Sequence, residues 1–377
     1  MNQQTRRIAR GTAVLAVTGL IAAFLHVFAC PHSNGGAGIR VTDLAGRKVS
    51  VPGKVSRLVA LGPGALRLVT YLDAANRVVG IDAMEKRMAR DVYARPYAHA
   101  LGESFLHRPV VGAGGPGVLP EPENLMMCRP DLIVAVGMDP GQLDNIQAKT
   151  GVPTLGLSYG GIGVWRDEAR RSLCLLGEVL GRNGRAAEVN GYVTSMEQDL
   201  KRRTSDIADS DRPSAYVGGI SQKGSHGLTS TEAGYPPARM AGARNLADGL
   251  GKSGHFFVDK EQILVWNPEF IFVDAASRPL LDQDFEKNRD FYRLMNAAKS
   301  GKMFSLLPYN AYNTNIELAL LNAYFIGKTL YPERFSDIRM KEKAREIMGT
   351  LLGIRPDQTI PAYHSLRFPE TGPVVWR

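Results

Sequence analysis

Three side chains of one polar segment, Lys223, His226 and Tyr235, combine residue types that can bind an anion. They lie within residues 218–237, a glycine-rich stretch that is too long for a simple connection. An ammonium group, an imidazole and a phenol can all donate hydrogen bonds to anionic or chelated groups. This segment is therefore the sharpest candidate binding loop. A surface loop in which His226 bonds its own backbone would have the same composition.

A second pattern points to catalysis, because Gly156-Leu-Ser-Tyr-Gly160 matches the G-x-S-x-G nucleophile elbow with Ser158 as the nucleophile. Asp248 or Asp274, together with His255, would complete a triad. An elbow needs a helix that begins at the nucleophile, yet glycines at positions 160, 161 and 163 delay the next helix to about residue 164. No HGGG-type oxyanion loop precedes the match. A serine hydrolase is thus the weaker hypothesis, and we expect no enzymatic activity.

Two glutamates, Glu123 and Glu261, begin a segment that occurs twice, at residues 123–134 and 261–272. In each copy the glutamate precedes a proline by seven residues, and an acidic residue and a short hydrophobic strand follow. Proline ends a helix, and the residues after it favour a buried strand. The repeat predicts two related halves with equivalent helices, although the helix dipole alone also favours glutamate in a first turn.

The hydrophobic pattern around these residues predicts an α/β fold with two Rossmann-like lobes, each built on a parallel sheet. Residues 41–51 predict a small hairpin. Strands are predicted at 57–61, 78–81, 132–136, 154–157, 215–217, 270–273 and 303–306. Helices are predicted at 65–72, 141–149, 284–298, 314–330 and 341–352. The helix at 314–330 is expected to be amphipathic, with Glu317 and Lys328 on its polar face.

The same pattern predicts the domain boundaries. Residues 39–163 form an N-terminal lobe, 164–210 a helical linker, 211–335 a C-terminal lobe and 336–377 a C-terminal extension. The second linker helix repeats apolar residues at a helical spacing and would be ~30 Å long at ~1.5 Å per residue. We therefore expect a long rigid helix to join the lobes, with a ligand cleft between them.

The N-terminus has the pattern of an export signal, residues 1–30, followed by a flexible tether, residues 31–38. Its first ten residues include Arg6, Arg7 and Arg10, and residues 11–29 contain no charged side chain. We interpret Cys30 as a lipidation site. Ordinary cleavage after a small residue, or a retained membrane anchor, are the alternatives. Each of these interpretations places the rest of the protein in the periplasm or at the cell surface, with membrane contact only through its N-terminus.

Composition narrows the possible partners. The formal net charge is +9, but no basic run has interleaved aromatic residues, which argues against nucleic acid binding. Cys128 and Cys174 are interpreted as buried free thiols, with a disulfide as the alternative. The histidines have no metal-ligand spacing, so no metal site and no cofactor are expected. We expect a monomer.

Several short motifs together resemble the class III substrate-binding proteins of ABC importers, the Fe/B12 periplasmic-binding family. The resemblance covers residues 39–335. It rests on Val41-Thr-Asp-Leu-Ala-Gly-Arg47, Arg57-Leu-Val-Ala-Leu-Gly62, Arg77-Val-Val-Gly-Ile81 and Pro122-Glu-Asn-Leu125 followed by Arg129-Pro-Asp-Leu-Ile-Val134. It implies that a permease dimer with its ATPase is the protein partner, and that Glu123 and Glu261 dock onto basic residues of that dimer. Glu121 is a possible substitute for Glu123.

The resemblance also implies a small-molecule ligand held between the lobes: a metal chelate, foremost a ferric siderophore, with cobalamin or haem as alternatives. Ligands of open α/β sheets bind beyond the carboxyl ends of the strands. This rule selects Pro63, Tyr159, Trp165, Lys223, His226, Tyr235, Arg278, Tyr309 and Tyr312 as candidate contacts. Packing roles are open for Tyr309 and Tyr312, and Trp165 could instead cap the linker. Arg278 is expected to be exposed. A module for adhesion or signalling with the same fold is a third class.

Overall fold

The structure is a computed structural model that describes Cys30 and residues 38–88, 94–161, 163–222 and 224–354. In this part of the chain no helix combines the length and apolarity needed to cross a bilayer. The signal segment and Lys223 lie outside the described residues. The strands are β1 Ile39–Thr42, β2 Lys48–Val51, β3 Leu58–Leu61, β4 Val78–Ile81, β5 Leu132–Val136, β6 Thr154–Leu157, β7 Ser214–Gly218, β8 Ser230–Ala233, β9 Arg244–Asn245, β10 Gly254–Phe257, β11 Phe270–Asp274 and β12 Met303–Leu306.

Fourteen α-helices accompany these strands within the described residues. In chain order they are α1 Ala65–Tyr71, α2 Ala83–Met88, α3 Pro96–Leu101, α4 Pro122–Cys128, α5 Pro140–Thr150, α6 Asp167–Leu180, α7 Asn183–Thr204, α8 Pro236–Met240, α9 Lys260–Trp266, α10 Arg278–Lys287, α11 Arg289–Leu294, α12 Asn296–Lys299, α13 Ile316–Leu330 and α14 Met340–Leu352. The predicted helix at 284–298 is thus three shorter helices, α10 to α12.

The N-terminal lobe is built on a four-stranded sheet in the order β4-β3-β5-β6, in which all pairs are parallel. Strands β3, β5 and β6 are buried along their whole length, as expected for a parallel sheet covered on both faces. The predicted hairpin, β1 with β2, is antiparallel. It is joined to the sheet by the Asp43 carboxylate, which accepts a hydrogen bond from the Gly156 backbone N–H at 3.0 Å.

The C-terminal lobe has a mixed sheet in the order β10-β8-β7-β11-β12, and β9 pairs with β7. Strands β7, β11 and β12 are parallel, whereas β8 and β10 are antiparallel to each other. The predicted loop at 218–237 therefore contains a strand. Its sequence, Ser-Thr-Glu-Ala, has no apolar pattern, yet all four residues are buried between β7 and β10.

Two antiparallel helices, α6 and α7, form the predicted linker, and α7 is 22 residues long. The chain turns between them at Gly181, whose left-handed backbone (φ 66°) ends α6. Apolar residues of α6 and α7, among them Leu173, Leu176, Val189 and Val193, are buried in the main core. The linker is thus packed into the body of the protein.

The helix at 314–330, expected to be amphipathic, is buried on nearly all sides. Glu317 in its first turn is fully buried, and Lys328 is half-buried with its ammonium group on backbone carbonyls near residue 335. The prediction was wrong because α8 and α14 pack against α13 and leave it no solvent face. The described part of the C-terminal extension, residues 336–354, is likewise packed, since Arg185 of α7 donates hydrogen bonds to carbonyls of α14 at Thr350 and Leu351.

Cys30 forms a disulfide bond with Cys174 of α6, with 5.3 Å between the two Cα atoms. The interpretation of Cys174 as a free thiol was therefore wrong, and its partner is not Cys128, which is free and buried. The spacing of cysteines could not reveal this pair, because the bond spans 144 residues. Lipidation of Cys30 would use the same sulfur, so the bond and the lipid exclude each other in one molecule.

Candidate functional site

The carboxyl ends of the parallel strands in both sheets face the junction between the lobes. On the N-terminal side these ends carry residues 62–64 after β3 and Asp82 after β4. On the C-terminal side residues 307–315 follow β12 and lead into α13. This is the position where open α/β sheets bind ligands.

Part of this junction is closed by buried polar contacts centred on Arg67 of α1. Its guanidinium group donates hydrogen bonds across the junction to the carbonyls of Thr314 (2.8 Å), Ala311 (3.2 Å) and Tyr312 (3.3 Å). The group also lies 4.7 Å from the ring centre of Tyr97. Burying an arginine is costly unless its donors are paired, and here both terminal nitrogens are paired while Nε has no partner among the described residues. The three bonds hold the lobes together at this point.

Two tyrosines add contacts across the same region. The Tyr312 hydroxyl donates to the Asp82 carboxylate at 2.8 Å and accepts from the Gly115 backbone N–H at 3.0 Å. Tyr71 donates to the carboxylate of Glu317, which is fully buried. We call Arg67, Tyr71, Asp82, Tyr312 and Glu317 the interlobe latch. Burial raises the pKa of both carboxyls, Asp82 and Glu317.

A buried ion pair lies next to the latch. Arg95 and Glu85 are both essentially inaccessible to solvent and are joined at 3.2 Å, and the Tyr97 hydroxyl donates to the same carboxylate oxygen at 2.7 Å. Burial raises the pKa of Glu85 to about 7 in spite of the adjacent guanidinium group. The Tyr97 ring lies near both Arg67 and Arg95, so the pair and the latch form one connected network.

Elsewhere the junction is open, and a cavity of about 580 Å³ lies beside the linker helix α7. Three parts of the protein line it. The segment after β6 contributes Trp165 and Arg166, the end of α7 contributes Lys201, and α8 of the C-terminal lobe contributes Pro236 and Arg239. We call this cavity the basic pocket. Its volume lies in the range of ordinary small-molecule sites.

The pocket carries an excess of positive charge. Arg166, Lys201, Arg212 and Arg239 line it, whereas Glu197 is its one acidic lining residue. The Glu197 carboxylate is paired with Arg170, which removes much of its negative charge. Lys201 and Arg239 are exposed and have no ion pair or side-chain hydrogen bond to any described residue. Two cations thus line an open cavity without a partner among the described residues.

The predicted contacts of the N-terminal lobe are buried. The Tyr159 hydroxyl donates to the Gly64 carbonyl at 3.0 Å, and the Pro63 carbonyl accepts from the Asn313 side chain at 3.1 Å. Trp165 donates its indole N–H to Asn190 of α7 at 3.0 Å, so it caps the linker and also lines the basic pocket. Of these three, Trp165 is the one that borders the basic pocket; the roles of the others as ligand contacts stay predictions.

The predicted contacts of the C-terminal lobe are similarly engaged. Tyr235 packs edge-on against Tyr309 with 5.6 Å between ring centres. His226 bonds the carbonyl of Gln222 at 3.0 Å, which is the self-capped arrangement that its loop composition also allowed. Arg278, expected to be exposed, is half-buried and paired with Asp282 one helical turn away.

Two buried carboxyls, Glu232 and Asp274, lie near this tyrosine pair. Burial raises the pKa of each to about 7. Asp274 accepts a hydrogen bond from the Ala276 backbone N–H at 2.9 Å, so its position is fixed. A carboxyl that holds its proton near neutral pH does not repel an anion and can donate a hydrogen bond to it.

The residues of the suggested hydrolase triad are engaged elsewhere. The Ser158 hydroxyl accepts from the Gly160 backbone N–H at 3.0 Å, and the next helix, α6, begins at Asp167. His255 pairs with Ser230 at 2.8 Å, and Asp248 accepts hydrogen bonds from Gly234 and Asn245. Among the described residues, these side chains are therefore not hydrogen-bonded to one another as a nucleophile, a base and an acid.

The two glutamates of the repeated segment are exposed in the first turns of α4 and α9. Neither has an ion pair or a side-chain hydrogen bond within the described residues. Both helices end in a left-handed residue that is not glycine, Arg129 (φ 46°) and Asn267 (φ 42°). The repeat in the sequence is therefore a repeat in backbone geometry.

A family model described as periplasmic binding protein matches residues 58–309. The chain belongs to the periplasmic binding protein family. The resemblance to class III substrate-binding proteins is thereby confirmed, and with it a fold of two α/β lobes. Proteins of this family are substrate-binding partners of an ABC permease and ATPase and serve transport, so the chain is a periplasmic substrate-binding protein.

Individual relatives agree with this assignment. The molybdate-binding protein MolA of Haemophilus influenzae is 24% identical over 328 residues, which cover 81% of this chain and 88% of the relative. A periplasmic solute-binding protein of Veillonella parvula superposes with a TM-score of 0.69 at 17% identity, covering 87% of this chain and 96% of that one. Helicobacter pylori CeuE, in a complex with nickel and histidine, gives 0.62 at 17% identity, covering 86% and 98%.

Sequence reasoning missed the latch and the basic pocket. Arg67 had a detectable signal, because it is the one charged residue of an otherwise apolar helix, and Asp82 directly follows β4 at the ligand edge of the sheet. The pocket cations had no such signal. Arg166, Lys201 and Arg239 are far apart in the chain and come together only through the packing of the linker against both lobes.

Proposed function

We propose that this protein captures an anionic metal chelate, foremost a ferric siderophore, in the basic pocket and delivers it to an ABC permease. The observation that carries the proposal is that each part of the protein contributes a cation to one cavity: Arg166 beside the N-terminal lobe, Lys201 on the linker and Arg239 on the C-terminal lobe. A ligand that neutralises all three would stabilise the closed arrangement of the lobes.

Charge and size both favour this ligand class. Guanidinium groups suit planar oxygen-rich anions, and Trp165 supplies an aromatic surface at the edge of the cavity. A cavity of about 580 Å³ accommodates a molecule considerably larger than a single tetrahedral oxyanion. Haem and the considerably larger cobalamin are the alternatives.

Native mass spectrometry of protein purified from its own periplasm, followed by calorimetric titration, tests this proposal. A panel of ferric siderophores, haem, cobalamin and iron salts is titrated into the ligand-free protein. We expect at least one ferric siderophore to bind with a micromolar or tighter dissociation constant, and iron salts not to bind. Failure of every chelate in the panel would contradict the proposal.

A second candidate ligand is an oxyanion of the molybdate type, which the similarity to the molybdate-binding MolA favours. The excess of positive charge in the pocket suits it as well. Molybdate, tungstate and sulfate are therefore included in the titrations. Tight binding of molybdate or tungstate, with no chelate bound, would replace the siderophore by an oxyanion and leave the location of the site unchanged.

Delivery is proposed to use Glu123 and Glu261 as docking residues for the permease. Both carboxylates are exposed and unpaired within the described residues, and their helices are equivalent in the two lobes. Paired charges of this kind contribute mainly to orientation and association rate. The double variant Glu123→Arg, Glu261→Arg should stop uptake and leave ligand affinity unchanged; normal uptake would remove this assignment.

A further inference from the structure

The two helices that carry the docking glutamates also expose an apolar side chain one turn later. Met127 is 81% exposed and Val265 is 79% exposed, the highest values among the large hydrophobic residues in the described part of the chain. Each follows its glutamate by four positions, so the charged and the apolar side chain lie on the same helix face. We call Met127 and Val265 the apolar pegs.

A single exposed apolar residue needs no explanation on a protein surface. Here, however, the same position is exposed in two helices that share their backbone geometry. Leu125 and Ile263, each two positions before a peg, are at most 1% exposed. The two helices therefore turn the same face towards the core of their lobes. The coincidence of an unpaired carboxylate and an exposed apolar group thus occurs twice.

We propose that the apolar pegs are contacts to the permease, and that its dimer presents a basic and an apolar pocket at each of two equivalent positions. This inference rests on the proposed docking function and adds a second type of contact to it. The occupant must be two-fold symmetric or nearly so, because the surface that it covers is repeated once in each lobe. A dimer of identical membrane subunits meets that requirement.

The two contact types have different physical effects. Exposed charges act over a distance and raise the association rate, and salt weakens them. An apolar side chain contributes only after water has been removed from the interface, so it slows dissociation. The pegs should therefore determine how long the complex lasts, and the glutamates how often it forms.

Surface plasmon resonance with the partner permease–ATPase complex, held in nanodiscs, separates these effects. The mature chain is compared with Met127→Ser, Val265→Ser and the double variant. Leu250→Ser is the matched control, because Leu250 is 38% exposed and lies outside the repeated helices. Thermal unfolding is measured for each variant to verify that the fold is retained.

We expect each peg variant to dissociate about tenfold faster with little change in association rate. The Glu123→Arg, Glu261→Arg variant, measured alongside, should associate more slowly. Wild-type dissociation of both peg variants, with docking lost in the glutamate variant, would overturn the inference and leave the proposed function intact. If the peg variants dissociate faster while the glutamate variant docks normally, the pegs would remain assigned as permease contacts and the glutamates would not. Wild-type kinetics in all variants would overturn both.

Discussion

The junction between the lobes has two regions of opposite character. At the interlobe latch, charged and polar side chains are buried and bonded to one another, and Arg67 alone makes three hydrogen bonds across the junction. At the basic pocket, exposed cations from three parts of the protein surround about 580 Å³ and two of them lack a partner within the described chain. The difference shows which region holds the lobes together, and the other, open region is the one that we propose for the ligand.

The largest effect should come from removing the central cation of the latch. Arg67→Met removes the guanidinium donor from the carbonyls of Thr314 and Tyr312. It also removes the positive charge that stabilises the buried carboxylate of Glu317. We expect the free energy of unfolding to fall by about 3–5 kcal/mol, as for other broken buried charge networks. Chemical denaturation measures this change.

The surface residue Arg293 is the control for that variant. Its side chain is 72% exposed and its ion pair with Asp290 spans less than one helical turn, so Arg293→Met should cost under about 0.5 kcal/mol. Equal effects of the two variants would show that the latch contributes no more than an ordinary surface pair, and the contrast between the two regions would be lost.

Reversing two charges of the basic pocket should act on binding and not on folding. Arg166→Glu combined with Arg239→Glu replaces two cations of the cavity lining by two anions. We expect the dissociation constant of the bound anion to rise about 100-fold, close to 2.7 kcal/mol, while unfolding changes little. Calorimetry with the ligand identified by native mass spectrometry tests it. Unchanged affinity would place the ligand elsewhere in the junction.

A more conservative change tests the contacts of Tyr312 in the latch. Tyr312→Phe removes the hydroxyl that bonds Asp82 and the Gly115 backbone N–H, and retains the ring. The expected loss is about 1–2 kcal/mol, because a buried carboxylate oxygen and a buried amide lose one partner each. Tyr192→Phe, whose hydroxyl bonds Glu346 at the surface, is the matched control and should cost less.

The smallest effect concerns pH. Burial raises the pKa of Glu232 to about 7, whereas a carboxyl in the unfolded chain titrates near ~4.3. The folded state therefore holds the proton more tightly, and this contribution to stability is complete below about pH 4.3 and is lost as pH rises through 7. Glu232→Gln should reduce the difference in stability between pH 5 and pH 8. The exposed Glu123→Gln should not alter it, and equal behaviour of the two variants would refute the role of burial.

The lobes were more predictable than the site between them. Four of the predicted strands, 78–81, 132–136, 154–157 and 303–306, have the bounds observed, because runs of β-branched and other apolar residues flanked by turn residues are a local signal. Strand β8 was missed since its residues are small or polar and are buried only by their neighbours in the sheet.

The site depends on contacts that no local pattern encodes. Tyr159, Tyr235, Tyr309 and Tyr312 were predicted to contact the ligand because they follow strands, and in the structure their hydroxyls and rings face other protein groups. The polarity of a loop indicates that its residues can bind something. Whether the partner is a ligand or another part of the chain is decided by how the two lobes pack.

The disulfide between Cys30 and Cys174 uses the one sulfur atom to which a membrane-anchoring lipid would be attached. A copy whose first cysteine carries a lipid stays in the plane of the membrane and searches for its transporter in two dimensions. In a copy with the disulfide, the Cys30 sulfur is already bonded to Cys174 and cannot carry a lipid. If Cys30 is lipidated, as its position in the sequence predicts, the oxidation of that sulfur would decide between a membrane-bound and a freely diffusing copy.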